Sequence, residues 1–239
     1  MRRMFLVAAA VLLSALVVSP LACQTPAAPE TPESLNAAYT QAMQAKDWPG
    51  ALAAAQKLVD LDATADRLRL LADAQLRSGA MDTSLATYDR ALAAAEQEKP
   101  AEGQPDTAWR ELVGKITVGK GNAYLKLRRN PEAIAEYNQA AEIAPNPGEA
   151  YFNICAVLYN TGDMQRAPDA CRKAVQADPT RANAWFVLGS VLFVTSPSDS
   201  KGNFIISAET RQALEKYLEL APNGPHAADV KAMLDMAAK

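Results

Sequence analysis

The sequence has almost none of the residues on which metal and nucleophilic chemistry depend. Among 239 residues there are one histidine, His226, and three cysteines, and no Cys-x-x-Cys pair or second histidine supplies a metal-ligand set. No glycine-rich turn follows a strand pattern, and no nucleophile has a recognisable base. We therefore predict a non-enzymatic protein that needs no metal and no cofactor, with His226 as an exposed residue at a helix end.

Aromatic residues and positive charge are also scarce. Aromatic side chains make up 6% of the chain although 49% of it is hydrophobic, and alanine is abundant. Large rings therefore cannot dominate the core, and we expect helices that approach each other closely through small residues. The net charge of −3 gives no support for nucleic-acid binding.

One long apolar run is present, at the N-terminus. Arg2 and Arg3 precede residues 4–18, which are apolar except for Ser14. This length suits the hydrophobic region of a signal peptide and is short for a membrane span. We predict that residues 1–22 are a signal peptide. Its removal leaves 22 basic and 27 acidic residues, a net charge of −5.

The end of this segment resembles a bacterial lipobox, because Leu21 and Ala22 stand directly before Cys23. The resemblance implies cleavage before Cys23, whose thiol then carries diacylglycerol. Pro20 departs from the pattern, since the family prefers leucine there. The alternative is an unlipidated periplasmic protein cleaved after Ala22 or Ala27, neither of which is a better site.

Residues 23–33 are rich in proline and low in hydrophobicity, and they predict an extended tether. With the lipobox resemblance, they lead us to expect an exported, periplasmic protein that is lipid-anchored to the outer membrane. Membrane contact would then occur through the N-terminal lipid alone.

The centre of the chain repeats with a constant offset of 34 residues. The offset aligns Tyr124, Ala133, Tyr137, Ala140 and Pro145 with Leu158, Ala167, Cys171, Ala174 and Pro179. Residues 121–146 resemble the tetratricopeptide repeat signature G-x-A-Y…A-x-x-x-Y-x-x-A…P almost letter for letter. The resemblance implies helix–turn–helix units that stack into a superhelix.

We therefore predict an all-α fold, an α-α superhelix of about five such units within residues 34–239. The units are residues 32–64, 65–98, 114–147, 148–181 and 182–224, and residues 225–238 form a capping helix. Solenoids need such an end helix to cover their last apolar surface.

The repeats are interrupted before the third unit. Residues 99–106 contain two prolines and a glycine and predict a loop. An apolar helix face that includes Trp109 follows, so the first helix of the third unit should begin near Thr107. Trp109 either packs on the preceding helix, which ends near Glu98, or forms part of a docking surface.

A second interruption, residues 195–207, lies inside the fifth unit. Lys201, Gly202 and Asn203 stand between two apolar stretches, residues 193–194 and 204–206. This pattern predicts a short β-hairpin in place of the usual tight turn.

Cys155 and Cys171 occupy positions 8 and 24 of the fourth unit. In the repeat fold these positions lie on facing sides of two antiparallel helices, so a disulfide is possible if the Cα atoms come within about 7 Å. An oxidising compartment would favour it. The alternatives are two buried thiols, or a dithiol redox carrier, which would need exposed cysteines of lowered pKa.

The resemblance also implies a concave groove lined by the first helix of each unit. The side chains expected to face a partner are Arg69, Asp73, Lys115, Val118, Asn122, Lys126, Phe152, Asn153, Tyr159, Asn183, Phe186 and Ser190, together with Arg77. Amide and aromatic side chains suit an extended or helical peptide. The Lys/Asn/Arg clamp that grips a C-terminal carboxylate in some family members is not reproduced, and Phe152 and Phe186 could instead pack between units.

These observations predict a scaffold that binds a protein or peptide partner in the cell envelope, with a role in envelope or pilus assembly by analogy of architecture alone. The first alternative is a structural envelope protein that self-associates through Trp109 or the 204–206 loop. A dithiol carrier that uses Cys155 and Cys171 is the second alternative.

Processing at Cys23 can be tested by mass spectrometry of the protein isolated from a bacterial envelope. We expect Cys23 as the N-terminal residue, with the added mass of a diacylglyceryl group, and release into the soluble periplasmic fraction when Cys23→Ser is introduced. An unmodified N-terminus at Cys23 or at Ala28 would contradict the lipoprotein prediction.

Overall fold

The computed structural model describes residues 30–237, which form eleven helices. In chain order they are α1 (Pro32–Ala45), α2 (Trp48–Leu61), α3 (Ala65–Ser78), α4 (Met81–Gln97), α5 (Thr107–Lys126), α6 (Asn130–Ile143), α7 (Gly148–Asn160), α8 (Ala167–Ala177), α9 (Ala182–Val194), α10 (Ala208–Leu220) and α11 (Ala227–Asp235). The chain divides by its internal contacts after Glu30. The predicted signal peptide, Cys23 and most of the tether lie outside the described residues.

Several of these helices begin at a residue whose side chain caps the first turn. Thr31 and Ser34 form a reciprocal capping box at α1, in which Thr31 Oγ1 accepts the Ser34 amide and Ser34 Oγ accepts the Thr31 amide. Asp47 caps α2 through the amide of Gly50. Each cap satisfies a backbone donor that the first helical turn leaves free, so the helix starts are fixed by short local motifs.

The turn inside each of the first four hairpins contains one residue in the left-handed region. These residues are Lys46 (φ 58°), Gly79 (φ 93°), Arg128 (φ 58°) and Gly162 (φ 74°). Glycine adopts this conformation without a steric penalty, whereas a residue with a side chain loses about 1 kcal/mol. The recurring turn gives the hairpins similar geometry.

The helices pair as hairpins, and each helix packs on the next along the chain. Contacts between alternate helices join α3 to α5 and α7 to α9, which are the first helices of their hairpins. Because the first helices approach each other, they lie on the inner side of the curved array. The predicted all-α superhelix of about five units is thus confirmed, and α11 stands where the capping helix was predicted.

Three clusters of buried side chains follow one another along the stack. The first joins α1–α4 to α5, the second extends from α5 to α10, and the third lies among α9, α10 and α11. Trp109, on the early part of α5, donates from Nε1 to the Ala95 carbonyl of α4 at 2.7 Å. Trp109 therefore packs on α4, the first of its two predicted roles.

None of the helices within residues 30–237 is long and apolar enough to cross a membrane.

In the third and fifth hairpins, the two helices meet at a buried pair of residues that fills a narrow gap. A β-carbon added to Gly121 would lie 2.5 Å from Cε1 of Tyr137, and one added to Gly189 would lie 2.6 Å from Cδ2 of Leu214. Real side chains do not approach so closely, so the large residue on the second helix requires a glycine on the first. This contact sets the spacing of the two helices.

The cysteines occupy the same pair of positions in the fourth hairpin. Cys155 and Cys171 are separated by 16 residues, as Gly121 and Tyr137 are, and both are fully buried. Their sulfurs lie 2.02 Å apart and their Cα atoms 4.8 Å apart, the arrangement of a disulfide. A covalent link between the helices thus stands where the third hairpin has a glycine and a tyrosine.

The insertion at residues 195–207 is a loop with little β-structure. One antiparallel bridge joins Ser198 to Phe204, and the Phe204 amide donates to the Met236 carbonyl at 2.9 Å. The predicted first arm, residues 193–194, is wrong, because Phe193 and Val194 complete the last turn of α9. The rings of Phe193 and Phe204 lie 4.4 Å apart, so the insertion connects α9 to the end of α11.

The buried cysteine pair leads to a prediction of stability. Reduction of the disulfide, or Cys155→Ala/Cys171→Ala, should lower the free energy of unfolding by about 3 kcal/mol, because the unfolded chain is no longer constrained. The variant Cys155→Gly/Cys171→Tyr recreates the pair of the third hairpin. It should be more stable than the alanine variant, because the ring fills the gap that two alanines leave empty. Urea unfolding measures all three.

A free-thiol count on the unfolded, unreduced protein is the control for the oxidation state. Two free thiols, or a urea midpoint that does not move when reductant is added to the wild type, would contradict the disulfide.

Candidate functional site

The predicted groove residues all lie on the first helices of the hairpins, α3, α5, α7 and α9. The packing of α3 on α5 and of α7 on α9 brings these helices together on the inner side of the stack. The inner face of the first helices is therefore the candidate site. Its side chains differ widely in exposure and in the partners they already have.

Arg69 and Asp73 form an ion pair with each other. Arg69 Nη1 lies 2.7 Å from Asp73 Oδ2, and Arg69 Nη2 lies 2.7 Å from Asp66 Oδ1. Tyr88 Oη, from α4, donates to the other oxygen of Asp73. Burial raises the pKa of Asp73, although Arg69 and the Tyr88 hydroxyl act against the rise. Asp73 thus joins α3 to α4 through Tyr88, and Arg69 pairs with Asp73 from the same helix.

Asn122 has the corresponding contact one unit further along. Tyr137 Oη, from α6, donates to Asn122 Oδ1 at 2.7 Å, and the two residues are 15 apart in sequence, as Asp73 and Tyr88 are. The amide oxygen of Asn122 thus accepts one hydrogen bond from the core, and its Nδ2 amide remains able to donate to a ligand. The tyrosine that fills the gap at Gly121 also orients a groove residue.

The aromatic candidates of the groove have neighbours within the stack. The ring of Phe186 stacks on His226 with centroids 3.8 Å apart, and it also contacts Tyr217. The guanidinium of Arg181 lies 5.2 Å from the centre of the Phe152 ring. Phe186 therefore packs between α9, α10 and the start of α11, as the alternative interpretation had it. His226 is partly buried by this stack.

Exposure separates the remaining candidates. Ser190 is only 1% exposed and donates to the Phe186 carbonyl, so it belongs to the core and not to an open groove. Lys126 and Asn183 are exposed, whereas Asn153 and Tyr159 are partly buried.

Two cavities divide the α5 candidates between them. One, of about 190 Å³, is lined by Lys115 and Val118 together with Glu111 and Glu149. Lys115 already forms an ion pair with Glu111 at 2.7 Å, which lowers the pKa of that carboxyl. We call this space the Glu111 cavity.

The other, of about 440 Å³, is called the Arg77 cavity. It brings together Asn122, Lys126 and Arg77, and its remaining lining residues are Trp48, Leu76, Gly79, Met81 and Leu125. The apolar walls of this cavity were not predicted from the sequence. Leu125 is 38% exposed, and nothing in the repeat pattern of the sequence predicts this exposure.

No cluster of three or more histidine, cysteine or acidic side chains that could hold a metal ion occurs in residues 30–237.

Stacked helical hairpins with an inner face of mixed polar and apolar side chains define the class of repeat scaffolds that bind other proteins. Comparisons with known proteins identify the family. The sequence model described as "Tetratricopeptide repeat" matches residues 40–99 and 118–182, which is more than half of the chain.

The chain therefore belongs to the tetratricopeptide repeat family, whose members are in general non-enzymatic scaffolds for protein–protein interaction. Among curated proteins, the Hsp70-Hsp90 organizing protein of Triticum aestivum is 31% identical over 98 residues, 41% of this chain and 16% of the wheat protein. Hsp70-Hsp90 organizing protein 2 of Arabidopsis thaliana is 28% identical over 117 residues, 49% of this chain and 19% of that protein. The chain thus spans less than a fifth of the length of either relative.

Solved structures share the fold at low identity. A structure of MamA has a TM-score of 0.54 at 16% identity, with 83% of this chain and 94% of that chain covered. YrrB, described as a TPR protein with an unusual peptide-binding site, has a TM-score of 0.52 at 18% identity, with 81% and 88% covered. A tetratricopeptide repeat protein from Parabacteroides merdae has a TM-score of 0.55 at 15% identity, with 86% and 74% covered.

The contacts of Arg69 generate a prediction. Asp73→Ala should lower the free energy of unfolding by about 1–3 kcal/mol, because it leaves Arg69 and the Tyr88 hydroxyl without their shared acceptor. Asp66→Ala is the matched control. It removes the other, more exposed partner of Arg69 and should cost less than about 1 kcal/mol. Equal losses in urea unfolding would show that Asp73 does not hold α3 against α4.

Proposed function

We propose that this chain is a scaffold that binds a protein partner as a peptide segment along the inner face of its first helices. The observation that carries the proposal is the Arg77 cavity. It is an open space of about 440 Å³ on neighbouring units, lined by both polar and apolar side chains. Such a mixture gives a peptide buried area and hydrogen bonds at once.

The amides of the inner face support an extended ligand. Asn122, Asn153 and Asn183 lie on three successive first helices, α5, α7 and α9. Asparagine can donate to and accept from a peptide backbone, so three of them along the stack suit a main chain that runs across the units. The names of similar proteins support the same class of ligand, since the plant relatives are named Hsp70-Hsp90 organizing proteins and YrrB is described as having an unusual peptide-binding site.

We further propose that the scaffold works in the periplasm, anchored to the outer membrane by a lipid on Cys23, and that it serves envelope or pilus assembly. The support is the N-terminal pattern of residues 1–33 described above. The dithiol alternative has little support, because Cys155 and Cys171 are both fully buried.

Self-association is the second candidate function. Val194, Ile205 and Met236 are 58%, 50% and 46% exposed, and all three lie on or beside the insertion that joins α9 to α11. Exposed apolar side chains of this size favour association. A mass by light scattering that rises with concentration, and falls to the monomer with Ile205→Lys, would support this candidate.

Photo-crosslinking tests the inner face directly. A benzophenone amino acid placed at Lys126 or at Asn183 should crosslink a partner in envelope extract, because both side chains are exposed on first helices. The same amino acid at Arg90 or Arg211, exposed on the second helices α4 and α10, is the matched control.

The crosslink at Asn183 should also disappear in the Asn122→Ala/Phe152→Ala/Asn153→Ala variant, provided that its urea midpoint shows a folded protein. Crosslinks of equal yield from the inner and outer positions would contradict the proposed groove.

A further inference from the structure

The Arg77 cavity differs in its polar groups from three further cavities of the described residues. Three further cavities each include at least one carboxylate: Glu111 and Glu149 in the Glu111 cavity, Asp169 in a cavity of about 490 Å³, and Asp163 in one of about 680 Å³. The Arg77 cavity has none. The whole chain has a net charge of −3, so a cavity that is lined by cations and has no carboxylate differs in charge from the rest of the protein.

Every charged or strongly polar side chain of the Arg77 cavity is a hydrogen-bond donor. Arg77 and Lys126 carry positive charge and cannot accept, and the indole nitrogen of Trp48 can only donate. Asn122 has both kinds of group, but its oxygen already accepts from Tyr137. A ligand that satisfies this set must supply acceptors, and two cations favour an acceptor with negative charge.

Both cations are available for such a ligand. Within residues 30–237, neither Arg77 nor Lys126 has an acidic oxygen within ion-pair distance, and both side chains are exposed. Arg77 acts on Asp73 only at longer range. By contrast, Lys115 on the same helix as Lys126 already pairs with Glu111.

The walls of the cavity exclude a small inorganic anion as the fitting ligand. Leu76, Met81, Leu125 and the ring of Trp48 surround the donors, and about 440 Å³ is much more space than one carboxylate fills. Apolar walls of this extent match side chains on either side of an acidic residue. A segment inside a chain, with residues on both sides, fits this space better than a chain end.

We propose that the Arg77 cavity binds an internal acidic peptide segment, in which an Asp or Glu carboxylate contacts Arg77 and Lys126 while neighbouring apolar side chains pack on Leu76 and Leu125. The inference rests on the proposed peptide-binding function and gives it a ligand chemistry. The two cations also lie in the last turns of α3 and α5, where positive charge interacts favourably with the helix dipole. If Arg77 and Lys126 had only this stabilising role at the helix ends, their substitution would change stability and leave peptide binding unaltered.

The probe is a display library of random dodecapeptides with glycine–serine flanks on both sides, so that no free chain terminus is offered. Selection on the full mature chain should enrich sequences with Asp or Glu next to leucine or an aromatic residue. A selected peptide is then synthesised with both ends blocked, together with a copy in which each Asp becomes Asn and each Glu becomes Gln.

Arg77→Gln/Lys126→Gln should weaken binding of the acidic peptide about 100-fold, since two charge-assisted hydrogen bonds are lost at about tenfold each. Lys216→Gln, the matched control, should change the dissociation constant by less than about twofold, because that lysine lies on the second helix α10 and is already paired with Glu219. The neutral peptide should bind weakly to the wild type and lose little more with the double variant, since the two changes remove the same interaction. Urea midpoints verify that each variant is folded.

Three outcomes would overturn the inference. Selected peptides without acidic residues, bound equally by wild type and double variant, would reject the ligand chemistry and leave the proposed function intact. Failure to select any peptide would reject the function and the inference together. Binding to phosphatidylglycerol vesicles that depends on Arg77 and Lys126, without acidic-peptide binding, would assign the cavity to a membrane surface instead.

Discussion

The close approach of the two helices at the centre of a hairpin is the constraint on which the rest of the structure depends, and in the third and fifth hairpins one small and one large residue make this contact. Gly121 has no side chain because the ring of Tyr137 occupies that space, and Gly189 leaves room for Leu214 in the same way. The helices can then lie close enough for an alanine-rich core to be well packed. The arrangement needs few aromatic residues, because a single ring fills the gap in the third hairpin, a leucine fills it in the fifth and a disulfide spans it in the fourth.

The same tyrosines connect the core to the inner face. The ring of Tyr137 fills the gap beside Gly121, and its hydroxyl fixes the amide of Asn122 at the Arg77 cavity. Tyr88 does the equivalent for Asp73. A groove side chain held by a buried hydroxyl loses less conformational entropy when a ligand binds, so the packing of the hairpin prepares the surface for binding. Core and site are therefore not independent in the second and third units.

The sequence predicted the hairpins and their order because residues that recur at a fixed period make similar packing contacts in successive units. Tyr137 and Pro145 occupy two of these recurring positions in the third unit. It could not separate exposed groove residues from buried ones. Ser190 occupies a groove position by period, yet it is only 1% exposed and donates to the Phe186 carbonyl. The Arg77 cavity also lay beyond the repeat pattern, since Trp48 and Leu125 come from different units and meet only through the stacking of the helices.

The fourth hairpin departs from this scheme, and the departure indicates how the face is divided. Cys171 replaces the tyrosine, so α8 supplies no hydroxyl equivalent to that of Tyr137, and the position that corresponds to Asn122 is Ala156. The disulfide still sets the helix spacing, but it orients no polar side chain. Phe152 and Phe186 follow, each in contact with its own neighbours in the stack. Oriented hydrogen-bonding groups are thus concentrated in the second and third hairpins, while the later ones are closed by a covalent link and by aromatic packing. An acidic partner segment would gain its specific contacts at the first part of the stack and mainly apolar area beyond it.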